Sequence, residues 1–132
     1  MSRRDIELKV TLIVKDSFSA AHFIKGHRKC GRTHGHTYNV SVEFEGELPW
    51  AHNMLIDFSR LGGFLEYAVK PLDHQLLNEI LPFSPTAELL ARHIFNRIME
   101  KIEHDGIKKV WVKQVTVWET EKYGASYGGE EE

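Results

Sequence analysis

The chain has 132 residues, enough for one domain spanning 1–132 that builds its own core without disulfides. Its 17 Lys and Arg against 19 Asp and Glu leave a formal charge of −2, so no overall basic field selects nucleic acid. No run nears the roughly 18 apolar residues of a membrane span, the start MSRRDIELKV lacks an apolar signal core, and the single cysteine, Cys30, makes no internal disulfide, which together favour a reducing, cytoplasmic setting.

Residues 6–15 alternate. Ile6, Leu8, Val10, Leu12 and Val14 share one face, and Glu7, Lys9, Thr11 and Lys15 the other, with Ile13 out of step. This predicts a half-buried strand. By the same parity Asp16, Phe18, Ala20 and His22 continue the even face, provided no bulge intervenes. A loop carrying Lys25, His27, Arg28, Lys29, Cys30 and Arg32 follows. Residues 37–45 alternate again, with Tyr38, Val40, Val42 and Phe44 on the apolar side, so the two strands pair antiparallel. Asp57 is placed to cap a helix with apolar positions Phe58, Leu61, Leu65, Ala68 and Leu72, which Pro71 ends or kinks. Ser84-Pro85-Thr86 opens a second helix with a capping hydroxyl and a proline in its first turn. Its apolar face is Ala87, Leu90, Ala91, Ile94, Ile98 and Ile102, and Asp105-Gly106 stops it. Residues 108–119 are β-branched and aromatic, a third strand, and a short fourth falls around 123–127. The order ββααββ is an α+β domain: a four-stranded antiparallel sheet with two helices on one face. The uncovered face and two free edges predict a symmetric oligomer in which copies close a barrel.

His34 and His36 are two apart, so at the start of a strand both imidazoles share a face, and Gly35 between them permits close backbone approach. A hairpin could bring His22 beside them. Three neutral imidazoles with an open fourth position form the donor set of a catalytic zinc site, although an HxH pair alone equally describes two surface residues of a strand. Beside such a cation and among basic neighbours, Cys30 is a candidate thiolate base or nucleophile. It could instead be a fourth ligand, or an inert buried hydrophobe. Adjacent Asp73 and His74 can form a proton relay, or a solvated helix end. Glu119, in VWETE, offers a carboxylate to an amino-pyrimidine edge, or is an exposed strand end. The basic loop could steer an anionic substrate; His52, His93 and His104 read as structural or solvated.

FSAAH at 18–22, CGRTHGH at 30–36, IDFSRL at 56–61, LDHQLLNE at 72–79, SPTAE at 84–88 and WETE at 118–121 occur in one order. Together they resemble the 6-pyruvoyltetrahydropterin synthase/6-carboxytetrahydropterin synthase family over nearly the whole chain, and the CxxxHGH spacing looks like the 6-carboxy branch, which serves queuosine-type 7-deazaguanine biosynthesis. The resemblance implies a T-fold, with three subunits closing a barrel and two rings stacked as a homohexamer. It implies Zn2+ held by His22, His34 and His36, Cys30 as general base, and Asp73 and His74 as its relay. It implies Glu119 as the pterin anchor, with Thr86 and Glu88 near the pterin pocket. The implied reaction converts 7,8-dihydroneopterin triphosphate to 6-carboxy-5,6,7,8-tetrahydropterin, acetaldehyde and triphosphate. Two alternatives stand beside it. One is a pyruvoyl synthase that eliminates triphosphate from the same substrate. The other is a non-catalytic, pterin-binding T-fold oligomer, against which Cys30, Asp73 and His74 argue.

Overall fold

The computed structural model describes residues 7–130. Strands β1 (Glu7–His22) and β2 (His34–Pro49) pair antiparallel from Glu7↔Pro49 to His22↔His34 without a shift. The even-face count therefore survives the full strand, and Phe18, Ala20 and His22 are buried while Ser17 stays exposed. Strand β3 (Val110–Trp118) pairs with β2, and β4 (Gly124–Tyr127) with β3, giving the sheet order β1-β2-β3-β4. The β2–β3 ladder shifts between Glu43 and Phe44, and the Val112 amide donates to Met99 Sδ at 3.4 Å.

Three helices lie among the described residues: α1 (Phe58–Val69), a short α2 (Leu77–Ile80) and α3 (Ala87–His104). Asp57 caps α1 through its side chain, which accepts from the Ser59 amide. The buried stripe of α1 is Leu61, Phe64, Leu65, Ala68 and Val69. Phe58, expected on that stripe, is 60% exposed, because it is the first residue after the cap and the sheet-facing stripe begins only at Leu61. Pro71 sits in a tight 3-10 turn (Lys70–Leu72) that ends the helix. The cap of α3 is Thr86, whose Oγ1 accepts from the Leu89 amide at 3.3 Å. Pro85 precedes the cap instead of occupying the first turn, which leaves its carbonyl free of the helix. Gly106, at φ 70°, lies in the left-handed region just past the α3 cap residue Asp105 and ends that helix.

The six predicted inward residues of α3 are all buried, and with the α1 stripe they cover Val40, Val42, Val115 and Val117 of the sheet. One face of the sheet is thus sealed by α1 and α3, and β1 and β4 are its free edges. No helix among the described residues is long and apolar enough to cross a membrane.

Candidate metal and active site

The β1–β2 register sets His22 directly opposite His34 and Ala20 opposite His36. The three imidazoles meet edge-on, with ring centroids 4.6 Å (His22–His34), 5.0 Å (His22–His36) and 4.9 Å (His34–His36) apart. His22 Nδ1 donates to the Pro85 carbonyl at 2.7 Å, and His34 Nδ1 donates to the Arg32 carbonyl at 2.7 Å. Each carbonyl fixes a tautomer, so both Nε2 atoms present lone pairs, and these face each other at 3.0 Å. Two lone pairs at that distance repel unless a proton or a cation lies between them. His36 Nε2 is buried and lacks a hydrogen-bond partner among the described residues.

The ligand atoms of the three rings lie within 4.8 Å of one another. Tetrahedral coordination at the usual bond length of about 2.0–2.1 Å needs nitrogens about 3.4 Å apart. The His22–His34 pair already meets that spacing closely, so the donor set fits a divalent metal with one position open. His22 is 1% exposed. Burial holds the His36 imidazole below its ordinary pKa, aided by His22 and His34 and opposed by Glu119. That favours the neutral ring, the form that ligates.

Beneath the trio lies Tyr38, stacked on Phe18 at 4.8 Å and edge-on to His36 at 5.3 Å. Burial, with Glu119 nearby, pushes its phenol pKa up. Glu119 follows directly after β3, and one of its oxygens is 4.0 Å from His36 Nε2. Its amide donates to the Tyr123 carbonyl at 3.0 Å, which closes the turn into β4. Glu119, Glu88, Ala87, Tyr123, Gly124 and Ala125 line a hollow of about 360 Å3. The structure thus joins Glu88 and Glu119 at one opening beside the imidazoles, while Thr86 is engaged as the helix cap.

Cys30 is half-buried in the loop between β1 and β2, with its amide donating to His27 Nδ1 at 2.9 Å. Among the described residues the group whose ligand atoms converge is the three imidazoles, and Cys30 is not part of it. Asp73 and His74 do form the expected couple, with His74 Nδ1 2.8 Å from Asp73 Oδ2. The Ser19 amide donates to Asp73 Oδ1 at 2.9 Å, and the His74 amide donates to the Ser19 carbonyl at 2.6 Å. The Ser19 bond, then the His74 bond, hold the Asp73 carboxyl below its usual range. The couple sits against the outer edge of β1, and the His74 side chain is 81% exposed. Gly35 is not needed for close approach, since a Cβ there meets nothing nearer than the Ala20 carbonyl at 3.6 Å. His52 and His104 are exposed, and His93 packs on Phe83.

The sequence placed Tyr38 on the inward face but did not point to the Pro85 carbonyl or to Tyr123. A buried tyrosine two residues after an HxH pair signals an inward face, but which carbonyl meets His22 depends on where α3 docks.

A covered antiparallel sheet carrying an imidazole trio on its first two strands defines a small α+β protein with a three-histidine group that could hold a metal ion. The chain belongs to the 6-pyruvoyl tetrahydropterin synthase family, whose model matches residues 11–130. An Archaeoglobus fulgidus protein, provisionally named 6-carboxy-5,6,7,8-tetrahydropterin synthase, is 40% identical over 96 residues, covering 73% of this chain and 82% of that one. A Haemophilus influenzae 6-carboxy-5,6,7,8-tetrahydropterin synthase is 35% identical, covering 79% and 88%. A Pyrococcus furiosus dihydroneopterin monophosphate aldolase is 35% identical over 117 residues, covering 89% and 96%. The Caenorhabditis elegans 6-pyruvoyl tetrahydropterin synthase structure superposes with a TM-score of 0.80 at 26% identity, covering 93% of this chain and 97% of that one.

Proposed function

We propose that this protein is a zinc-dependent 6-carboxy-5,6,7,8-tetrahydropterin synthase acting on 7,8-dihydroneopterin triphosphate and water, with acetaldehyde and triphosphate as co-products. The observation that carries the metal reading is the trio itself: two Nε2 lone pairs facing at 3.0 Å, with both Nδ1 protons committed to carbonyls. His22, His34 and His36 would hold the Zn2+, which supplies Lewis-acid polarisation of substrate oxygens. The hollow between Glu88 and Glu119 has room for a flat bicyclic ring, and the Glu119 carboxylate accepts from its amino-pyrimidine edge. Cys30 removes a carbon-bound proton, and His74, oriented by Asp73, returns one.

The exposure of that couple supports a homo-oligomer, in which His74 of one copy serves the trio of the next. The exposed Lys25, Arg28, Lys29 and Arg32 beside Cys30 suit an anionic phosphate chain.

Incubation of zinc-loaded protein with dihydroneopterin triphosphate, followed by pterin mass analysis and an acetaldehyde assay, tests this. Carboxytetrahydropterin with acetaldehyde is expected. A pyruvoyl product without acetaldehyde would identify the pyruvoyl activity instead. A second reading draws on the Pyrococcus aldolase, whose match spans 96% of that relative: turnover of dihydroneopterin monophosphate but not of the triphosphate would establish it.

A further inference from the structure

We propose that Asn78 is a positioning residue for Cys30, a role that rests on reading Cys30 as the proton-abstracting group. Residues 73–78 run along the end of the β1 edge and fasten to it at every second residue. Ser19 is held by Asp73 and His74, and the Ala21 amide donates to the Gln75 carbonyl at 2.9 Å. The last fastening is made by a side chain. The Phe23 amide donates to Asn78 Oδ1 at 2.9 Å, and Asn78 Nδ2 donates to the Phe23 carbonyl at 2.9 Å. One carboxamide thereby takes both backbone bonds of a residue that lies one step beyond β1, acting as a two-point strand partner. Asn78 is itself held in place, because the adjoining Leu77 is fully buried.

The next two links lead to the thiol. Ile24, adjacent to Phe23, donates its amide to the Cys30 carbonyl at 2.6 Å, and the Cys30 amide closes onto His27 Nδ1. Residues 25–29 between them are exposed, with a left-handed turn at Gly26 (φ 81°). Such a loop takes its position from its anchors, which are Phe23 on the β1 side, immediately after the metal-side His22, and the Arg32 carbonyl held by His34 on the β2 side. Asn78 therefore sets where the chain leaves the imidazole face and where Cys30 stands relative to it. The same short segment carries Asp73 and His74.

The test uses zinc-loaded full-length Asn78→Ala and Asn78→Asp, with Cys30→Ala as control. Because Cys30 is the single cysteine, iodoacetamide alkylation reports on it alone. For Asn78→Ala, kcat should fall by about tenfold to a hundredfold, as misplacement of a reacting group by an ångström does, with KM little changed. Zinc content should match wild type, and the pH profile of Cys30 alkylation should be displaced. Asn78→Asp keeps the acceptor for the Phe23 amide and loses the donor to its carbonyl, so it should recover part of the lost kcat.

Wild-type kcat and alkylation profile in a folded Asn78→Ala would overturn the assignment. So would parallel loss of kcat, zinc and thermal stability in both variants, which marks a structural role alone. If Cys30→Ala turns over normally, the proposed base is wrong; a displaced alkylation profile in Asn78→Ala then still upholds the positioning role, and an unchanged one overturns it.

Discussion

The imidazole trio makes its own stability prediction, because a metal that binds only the folded chain stabilises it by mass action. At free zinc one hundred times the dissociation constant, the native state gains about 2.7 kcal/mol. Unfolding entropy of about 2.1 cal/mol/K per residue over 132 residues converts this to a rise of about 10 °C in Tm. His34→Ala should abolish that rise. Its metal-free Tm should stay within about 2 °C of wild type, since the ring is only half-buried and its removal also relieves the facing lone pairs. His22→Ala should differ. His22 is 1% exposed and gives the Pro85 carbonyl its donor, so the metal-free variant should lose a further 1–3 kcal/mol or about 4–11 °C. Thermal melts with and without zinc, at one fixed protein concentration, read both effects. A zinc-induced rise in His34→Ala equal to that of wild type would refute the trio as the site.

Acid should release the metal, because imidazole ligates only as the neutral ring and its ordinary pKa is about 6.5. His36, whose folded pKa lies below its unfolded one, contributes stability that is present above the ordinary value and lost as pH falls; metal content after stepped dialysis should drop in that range. Asp57→Ala removes the α1 cap and should cost about 1 kcal/mol, or about 4 °C in Tm, with zinc content unchanged. Glu119→Gln should weaken pterin affinity by about tenfold to a hundredfold in a fluorescence titration while leaving the zinc bound.

The trio was legible because parity counted from Leu8 stays true to His22 (Ile6, with which the count began, lies outside the described residues), and it does so because β1 pairs with β2 without a bulge. The ladder shift that exists lies between β2 and β3, where no predicted ligand depends on it. The α3 face was legible for a similar reason: six residues on one uninterrupted helical stripe. What failed was local and terminal. Phe58 satisfies the period yet occupies a helix end, and Pro85 satisfies the pattern of a first turn yet precedes the cap, because Thr86 already supplies the capping oxygen. The four-residue α2 is too short to show any period. The placement of Asp73 and His74 on the β1 edge depends on hydrogen bonds across more than fifty residues of sequence, and no spacing rule reaches that far.

That placement leads to a final expectation. His74 holds φ at 60°, a left-handed conformation that costs a non-glycine residue about 1–2 kcal/mol, and the Ser19 carbonyl and Asp73 maintain it. The result is an ordered, exposed couple on the outer edge of β1, where His74 and His36 line one open hollow. Strain held to orient a group has a use where that group meets something, and in the proposed oligomer a second copy docked against this edge would bring it a second set of imidazoles. Cys30→Ala and His74→Ala should each be inactive alone. Unfolded together in equal amounts and refolded, they should regain activity, because about a quarter of the shared sites in a random assembly receive the intact thiol from one copy and the intact imidazole from its neighbour. Recovery near that fraction fits a site completed between copies; no recovery, with both variants assembling normally, means that each chain must supply its own relay.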